Sequence, residues 1–140
     1  MKSLRGYVSS RPFMGERVAQ HVQNTILRDY CNKIRAEYLL SGTEYAMENS
    51  FLMLNELTNE IPKINGIVTF SLFQLPKEYS LRNNIYKNIL MQNGELHFAL
   101  EGLSIITNTD IKRIEDIWMV RQTLPKCPEN IINTEKNERQ

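Results

Sequence analysis

The stretch that decides the fold is Gly66-Ile67-Val68-Thr69-Phe70-Ser71-Leu72-Phe73-Gln74, a nearly unbroken apolar run that ends in polar side chains. Such a run is typical of a central strand that is covered on both faces, and we predict a strand at 67–72. Pro62 before it and Pro76 after it bound the segment. The chain therefore contains a buried strand with hydroxyl and carboxamide groups at its carboxyl end.

Three other strand-like segments also end in polar clusters. They lie at about 4–10, 36–40 and 95–101, and they run into Ser9-Ser10-Arg11, Ser41-Gly42-Thr43-Glu44 and Glu101-Gly102. Helical periodicity is present between them, at about 16–34, 46–61 and 79–92, and again at about 110–124. A short apolar segment at 103–106 either extends the sheet or forms a hairpin. Strands that alternate with helices predict a parallel sheet with right-handed crossovers.

These elements predict a single three-layer α/β domain over residues 1–124. Its sheet is expected to be four- or five-stranded, mainly parallel and flavodoxin-like, with strand order 2-1-3-4. The carboxyl ends of parallel strands meet at one edge, where ligands bind beside the point at which the strand order reverses. We therefore expect a crevice between residues 9–11 and 71–74. Residues 125–140 are polar and are predicted to form a disordered tail.

The helical patterns also predict which side chains enter the core. In the first helix the apolar stripe is Val18, Val22, Ile26 and Tyr30, flanked by Ala19 and Leu27, and the opposite face carries Arg17, His21, Asn24 and Arg28. The inward residues of the later elements are Met47, Phe51, Leu54, Leu57, Ile61, Leu81, Ile85, Ile89, Leu96, Phe98, Leu100, Ile111, Ile114, Ile117 and Trp118.

Composition excludes several classes of function. The 140 residues include 17 Lys and Arg and 16 Asp and Glu, so the net charge is +1. No clustered basic run is present, which argues against nucleic-acid binding. Cys31 and Cys127 lack metal-ligand spacing and are predicted to be plain thiols of a reducing compartment. No apolar run approaches the roughly 20 residues that span a bilayer. We therefore predict a cytoplasmic protein with no metal, no cofactor and no membrane insertion.

The loop from the first strand to the first helix is the main candidate for an anion site. Ser9, Ser10 and Arg11 enter a helix whose start attracts negative charge. Arg11 and Arg17 are suited to hold a phosphate or carboxylate in a fork. Ordinary turn chemistry accounts for serine and proline here equally well. The loop lacks the glycine-rich dinucleotide and P-loop signatures.

Candidates for proton transfer lie near the same edge. His21, one turn from Arg17, is either a general acid or base or simply a solvated histidine. Glu44, Glu48 and Glu101 are suited either to a carboxylate pair or to hydrogen bonds with sugar hydroxyls, although acidic residues also favour the first turn of any helix. Asn49, Ser71 and Gln74 are predicted to fix hydroxyl groups. His97 lies mid-strand between apolar neighbours and is interpreted as structural.

Residues 5–122 resemble the sporadic carbohydrate cluster protein family. The matching strings are Arg5-Gly6-Tyr7-Val8-Ser9-Ser10-Arg11-Pro12-Phe13, Gly15-Glu16-Arg17-Val18, Gln20-His21-Val22-Gln23-Asn24, Thr43-Glu44-Tyr45-Ala46-Met47-Glu48-Asn49, Gly66-Ile67-Val68, Phe70-Ser71-Leu72-Phe73-Gln74-Leu75-Pro76, Glu95-Leu96-His97-Phe98-Ala99 and Glu101-Gly102. The resemblance implies a place in bacterial surface-polysaccharide (lipopolysaccharide) biosynthesis, since members are encoded within such gene clusters. It does not imply a particular reaction.

A more distant resemblance is to the catalytic domain of serine recombinases, the resolvases and invertases. It rests on Tyr7-Val8-Ser9-Ser10, Gln20 or Gln23, Asp29-Tyr30-Cys31, Ser41-Gly42 and Leu72–Leu75. It implies a resolvase-like fold in which Ser9 takes the place of the nucleophile. The charged residues expected around that nucleophile are replaced by Tyr7, Phe73 and Gln74. Phosphoryl transfer needs such charges, so the resemblance implies the fold rather than recombination.

Together these patterns predict a domain that binds or modifies a sugar or nucleotide-sugar intermediate. Ser9, His21, Glu44, Glu48 and Glu101 are the candidate catalytic residues. The candidate ligand-binding residues are Ser10, Arg11, Arg17, Asn49, Ser71 and Gln74. Two alternatives stay open: a degenerate recombinase relative that retains DNA binding, and a non-catalytic scaffold or regulator of a pathway enzyme. The apolar residues of the last helix are suited either to pack on the sheet or to pack against a second copy of the chain, and a homodimer is the favoured oligomeric state.

Overall fold

Five strands and four helices follow one another in the part of the chain that the computed structural model describes, residues 1–10, 12, 17–44 and 51–123. The elements are β1 (Ser3–Ser9), α1 (Gln20–Lys33), β2 (Glu37–Glu44), α2 (Leu52–Asn59), β3 (Gly66–Thr69), a 3₁₀ turn (Leu72–Gln74), α3 (Tyr79–Met91), β4 (Glu95–Phe98), β5 (Leu103–Ile105) and α4 (Asn108–Thr123). The tail predicted at 125–140 lies outside the described residues.

The sheet has the predicted strand order. Its sequence of neighbours is β2-β1-β3-β4-β5, and the first four strands run parallel to one another. The short segment after β4 both turns back as a hairpin and extends the sheet, because β5 pairs antiparallel to β4 with Leu103 opposite Phe98. The carboxyl ends of β1 to β4 therefore lie at one edge, as the sequence predicted.

Two apolar layers fix the helices on opposite faces of the sheet. Tyr7, Ile67 and Leu96 face a core that α2, α3 and α4 complete with Leu54, Ile89 and Trp118. Leu4, Val8 and Val68 face the other core, which α1 closes with Leu27 and Cys31. The alternation of side chains along each strand produces both cores. The result is the single three-layer α/β domain predicted from the sequence.

Close packing of β3 against β4 requires glycine at position 66. A Cβ atom there would lie 2.2 Å from the carbonyl oxygen of Glu95, the residue opposite in the register. Since that neighbour is backbone, it cannot yield as a flexible side chain would. Gly66 thereby allows the central strand to begin beside β4.

The buried face of α1 differs from the predicted stripe. The buried residues are Gln23, Leu27 and Cys31, while Val22 is 39% exposed. Val18, Ile26 and Tyr30 pack at the margin of the core. The pattern was misassigned because a polar side chain, Gln23, holds a core position, which apolar periodicity does not recognise.

Two other predicted core residues face solvent. Leu81 is 44% exposed, because Arg82 and Tyr86 take the inward positions beside Ile85 and Ile89 in α3. Leu100 is 56% exposed, because β4 ends at Phe98 and Leu100 lies in the turn to β5. The alternation of β4 holds for Leu96 and Phe98 and stops where the strand stops. Met47 lies outside the described residues.

Candidate functional site

A glutamine from α1 closes the carboxyl end of β1. The side-chain amide of Gln23 donates to the carbonyl oxygen of Ser9 at 2.8 Å, and its oxygen accepts from the Ser9 backbone N–H at 3.2 Å. The same amide nitrogen donates to the carbonyl oxygen of Val18 at 2.8 Å. Gln23 is 1% exposed, so these bonds are made away from water. The helix is thus tied to the strand that precedes it.

A second glutamine fills the end of β3. Nε2 of Gln74 donates to Oε1 of Gln23 at 2.9 Å. Its own oxygen accepts from the Thr69 hydroxyl at 2.8 Å and from the backbone N–H of Phe70 at 3.1 Å. The predicted crevice between the two strand ends is therefore occupied by a carboxamide pair.

Glu101 completes this edge from the turn after β4. The Ser71 hydroxyl donates to its Oε2 at 2.7 Å, and the backbone N–H of Leu72 donates to its Oε1 at 3.0 Å. Ser71 also caps the 3₁₀ turn, since its hydroxyl accepts from the N–H of Phe73. Hydrogen bonds thus link Ser9 through both glutamines to the turn that Glu101 holds. These predicted residues converge, and they bind one another.

Glu44 has a separate structural environment. Its carboxylate is fully buried and accepts from the Tyr7 hydroxyl at 2.9 Å. It also accepts from the backbone N–H groups of Met53 and Leu54, at 3.1 and 3.3 Å. A carboxylate at this position stabilises the start of α2 through the N–H groups that the helix leaves unpaired.

The predicted carboxylate pair does not form between Glu44 and Glu101. Glu44 ends β2 and Glu101 follows β4, so that β1 and β3 lie between them. Three strand spacings separate those two strands by about 14 Å. Glu48, the other member proposed for the pair, lies outside the described residues, as do Arg11 and Asn49.

The start of α1 is the cationic part of this edge. Arg17 and His21 are exposed, and Ser10, directly after β1, is half-buried. Ala19 occupies the N-cap and supplies no side-chain hydrogen bond, and the first turn carries no acidic residue. The positive end of the helix dipole is therefore not neutralised by its own first turn.

A titratable cluster that the sequence interpretation set aside lies between α1 and β4. Nδ1 of His97 is 2.8 Å from the Tyr30 hydroxyl, and its Nε2 is 2.8 Å from Oε1 of Glu95. Lys2 donates to the other oxygen of Glu95. Because an ionised carboxylate only accepts, the neutral ring carries its proton on Nε2 and accepts from Tyr30 on Nδ1.

The pKa values of both His97 and Glu95 are lowered. Burial explains the direction for His97 but not for Glu95. Burial lowers the pKa of His97, and the hydrogen bond and charge of Glu95 offset part of that effect. Burial raises the pKa of Glu95, but the hydrogen bonds from Lys2 and His97 outweigh it, so the pKa is lowered overall. Nearby, burial raises the pKa of the Cys31 thiol to about 11, which makes it a poor nucleophile.

A buried arginine on α3 was also missed by the sequence interpretation. Nε and Nη2 of Arg82 bind the two oxygens of Glu115 at 2.9 and 2.6 Å, and the Tyr86 hydroxyl donates to the same carboxylate at 2.7 Å. Nη1 donates to the carbonyl oxygens of Pro76 and Lys77. Only its position in the inward stripe of α3 could have indicated this role. Four hydrogen bonds thus hold the guanidinium, and the cluster joins α3 to α4.

Two kinds of feature are absent from the described ranges. No group of three or more His, Cys, Asp or Glu side chains lies close enough together to hold a metal ion among residues 1–10, 12, 17–44 and 51–123. Over the same part of the chain, no helix has the length and hydropathy needed to cross a bilayer.

The fold is similar to that of solved recombinase structures. A resolvase family site-specific recombinase from Streptococcus pneumoniae superposes with a TM-score of 0.59 and 8% identity, over 98% of this chain and 99% of that one. The N-terminal catalytic domain of TP901-1 integrase gives a TM-score of 0.57 and 10% identity, over 87% of this chain and 97% of that one. The domain therefore has a resolvase-like α/β fold.

Sequence comparison does not extend this result. No protein-family model matches the chain, and no curated protein matches it in sequence. Identities of 8 and 10% indicate shared architecture only. One fold carries many unrelated functions, so this likeness assigns no activity to the chain.

Proposed function

We propose that the domain binds an anionic sugar derivative, a sugar phosphate or a nucleotide sugar, and serves bacterial surface-polysaccharide synthesis. The observation that carries this proposal is the solvent-facing start of α1, flanked by Arg17 and His21 beside the end of β1. Unpaired N–H groups and the helix dipole attract phosphate at such a position. An arginine adds charge and a forked donor.

The contacts favour binding of the ligand without covalent chemistry. Ser9 is 1% exposed, and the carboxylates of Glu44 and Glu101 accept hydrogen bonds that hold α2 and the 3₁₀ turn. These three residues then act as supports of the ligand edge. Among the described candidates for proton transfer, His21 is the one that faces solvent.

The carbohydrate part of the proposal is supported by the sequence resemblance over residues 5–122. The strings that carry it include Ser10, Arg17 and His21 at the cationic start of α1. They also include Ser71, Gln74 and Glu101, which form hydrogen bonds at the carboxyl edge of the sheet. The resemblance and the geometry therefore concern the same edge of the sheet. Three further residues of the proposed site are supported by the sequence only, since they lie outside the described residues: Arg11, Glu48 and Asn49.

A thermal-shift screen of the purified chain against UDP-glucose, glucose 1-phosphate and inorganic phosphate tests this proposal. A ligand that binds the native state raises the melting temperature. Arg17→Ala is expected to abolish the shift, whereas Arg113→Ala, which removes an exposed arginine from α4, is expected to leave it unchanged. An equal shift in both variants contradicts the site, and no shift with any nucleotide sugar or sugar phosphate contradicts the ligand class.

A non-catalytic scaffold or regulator is the second candidate. It is favoured by the hydrogen bond between Gln23 and Gln74, whose side chains fill the space between the carboxyl ends of β1 and β3. This function predicts no shift with any sugar ligand and co-purification with a synthase of the same pathway. A chain that shows neither partner nor ligand contradicts it.

Residual DNA binding is the third candidate, and the resolvase-like fold favours it. Against it, Tyr7 binds Glu44, Phe73 packs on Trp118 and Gln74 binds Gln23, at the places where the recombinase resemblance expects charge. DNA binding would be strongly salt-dependent. A gel-shift assay at low salt that shows no retarded band excludes it.

A further inference from the structure

A cluster of four side chains joins the amino ends of β1 and β4 to the last turn of α1. Oε2 of Glu95 accepts from Lys2, and Oε1 lies 2.8 Å from Nε2 of His97. Nδ1 of the same ring lies 2.8 Å from the Tyr30 hydroxyl. Lys2 precedes β1 and Glu95 begins β4, so the cluster lies at the amino edge of the parallel strands, away from the candidate sugar site.

The side chain of Lys2 acts as a strap across β3. That strand lies between β1 and β4, and its residue Gly66 is in register with both Leu4 and Glu95. The ion pair of Lys2 with Glu95 thus ties the start of β1 to a strand that is not its neighbour. The carbonyl oxygen of Lys2 also accepts from the backbone N–H of Glu37 at 2.8 Å, which fixes the start of β2.

The charges of the cluster cancel only while His97 is neutral. The ammonium group of Lys2 offsets the carboxylate of Glu95, and a proton on the ring adds one positive charge. The side chains of Glu95 and His97 are 10 and 6% exposed, so water does little to stabilise that charge. Burial lowers the pKa of His97, Glu95 offsets part of that effect, and the charge of Lys2 lowers the pKa further. Because coupling between two sites is reciprocal, a proton on His97 weakens the hold on Lys2.

Within the part of the chain that the structure describes, Glu95 is the anion that the ring of His97 faces. From α1 the ring meets Tyr30, which is followed in sequence by Cys31. Burial raises the pKa of both groups, so both stay neutral in weak acid. The residues in register with His97 on the neighbouring strands do not titrate: Val68 of β3 and Ser104 of β5.

Lys2 is the cation that leaves when both cations compete for the carboxylate. Its side chain is 58% exposed, and its ammonium group is strongly hydrated on a flexible stem. His97 is fixed within β4, and the ring of Tyr30 packs against it with centroids 5.6 Å apart. A charged His97 therefore keeps the carboxylate of Glu95, while Lys2 moves to solvent.

We propose that His97 and Lys2 exchange as the cationic partner of Glu95 when the pH falls, and that this exchange releases the start of β1 from β4. The ring takes a proton from solvent at Nδ1, and the Tyr30 hydroxyl, which donated to that atom, then accepts from it. The strap is closed at neutral pH and open in weak acid. This local switch needs no sugar ligand, and it is separate from the overall loss of stability in acid.

An NMR titration of the His97 imidazole in the full-length chain tests the coupling. Lys2→Met removes the opposing charge and is expected to raise the pKa of His97. Lys112→Met, at a side chain that is 84% exposed on α4, is expected to leave that pKa unchanged. The chain has two histidines, and His21→Gln identifies which signal belongs to His97. A His97 pKa that is the same in the wild type and in Lys2→Met overturns the proposal.

Amide hydrogen exchange tests the release. The N–H of Glu37 bonds to the carbonyl oxygen of Lys2, so its protection factor reports on this end of the sheet. That factor is expected to be lower at about pH 5.5 than at about pH 7.5, on either side of the ordinary histidine pKa. His97→Gln, in which the side chain at position 97 stays neutral, is expected to remove the difference.

A second amide supplies the control for local opening. The N–H of Leu100, which bonds to the carbonyl oxygen of Phe70 at the carboxyl edge, is expected to keep the same protection at both pH values. Equal protection of Glu37 at both pH values overturns the proposal. So does a parallel fall at Leu100, because the whole domain would then be loosening.

Discussion

The side chains of Gln23 and Gln74 share a hydrogen bond of 2.9 Å across the end of the sheet. Oε1 of Gln23 accepts from Gln74 and from the backbone of Ser9, while its Nε2 donates to two carbonyl oxygens. The hydrogen-bonding capacity of the Gln23 amide is thereby used in full. α1 is consequently joined to both β1 and the turn after β3 by one buried side chain.

Substitution Gln23→Ala is expected to destabilise the domain by about 1–3 kcal/mol, because it leaves buried backbone groups at Ser9 without this partner. Urea denaturation followed by circular dichroism measures the change. Gln20→Ala removes an exposed glutamine from the first turn of the same helix and should stay within about 0.5 kcal/mol of wild type.

A double-mutant cycle with Gln74→Ala separates the shared bond from the other contacts. Residues in direct contact show coupling energies of about 0.5–3 kcal/mol. Strictly additive losses in the double variant would mean that the bond between the two amides contributes nothing of its own.

Glu44 is expected to stabilise the fold. Glu44→Ala removes the acceptor of Tyr7 and of two N–H groups at the start of α2, and we expect a loss on the order of 1–3 kcal/mol. Tyr7→Phe removes the hydroxyl alone and should cost less, about 1 kcal/mol. Chemical denaturation of both variants gives the values. Glu56→Ala, on the exposed side of α2, is the control, and a loss as large as that of Glu44→Ala would refute the assignment.

Stability is expected to fall in acid in two steps because of His97 and Glu95. The folded-state pKa of His97 is lowered by burial, so the unfolded chain takes up the proton first and stability declines as pH falls below about 6.5. The folded-state pKa of Glu95 is lowered as well, so its contribution is lost only as pH falls below the ordinary glutamate value and through the lower folded-state pKa.

Urea midpoints between about pH 8 and about pH 2.5 reveal the two steps, because the lower one lies below the ordinary glutamate pKa of about 4.3. His97→Gln should flatten the upper step and retain the lower one. His21→Gln, which changes the exposed histidine of α1, should leave both steps in place. A wild-type midpoint that is constant from pH 8 to 5 would contradict the role of His97.

Removal of one partner from the ion pair between Arg82 and Glu115 is expected to destabilise the fold strongly. Arg82→Met leaves the carboxylate of Glu115 without its buried partner, and such a change costs about 3–5 kcal/mol. Arg82→Lys keeps the charge but loses the two parallel bonds, so the loss should be smaller but clear. Thermal unfolding measures both against Lys87→Met, an exposed position on α3. Equal melting temperatures for the three variants would show that the pair is not stabilising.

The architecture could be predicted because it follows from apolar periodicity and strand direction. Residues 66–74 gave a central strand, and the alternation of elements gave the order 2-1-3-4, which the structure confirms. The face of α1 could not be predicted in the same way. Gln23 is buried because partners from β1 and β3 satisfy it, and those partners are distant in sequence.

The contacts of the candidate site could not be predicted for the same reason, because they join residues that are distant in sequence. Parallel strand direction correctly placed Ser9, Ser71, Gln74 and Glu101 at one edge. Whether those groups face a ligand or one another depends on side-chain pairing, for which a single sequence carries no periodic signal. The predicted carboxylate pair of Glu44 and Glu101 was already inconsistent with the predicted strand order, which puts two strands between β2 and β4, as the structure confirms.

One further consequence comes from the two carbonyl oxygens that Gln23 holds, those of Ser9 and Val18. They mark the entry and the exit of the connection from β1 to α1, and a single amide nitrogen fixes both. A change confined to the Gln23 side chain is therefore transmitted to both ends of that connection at once.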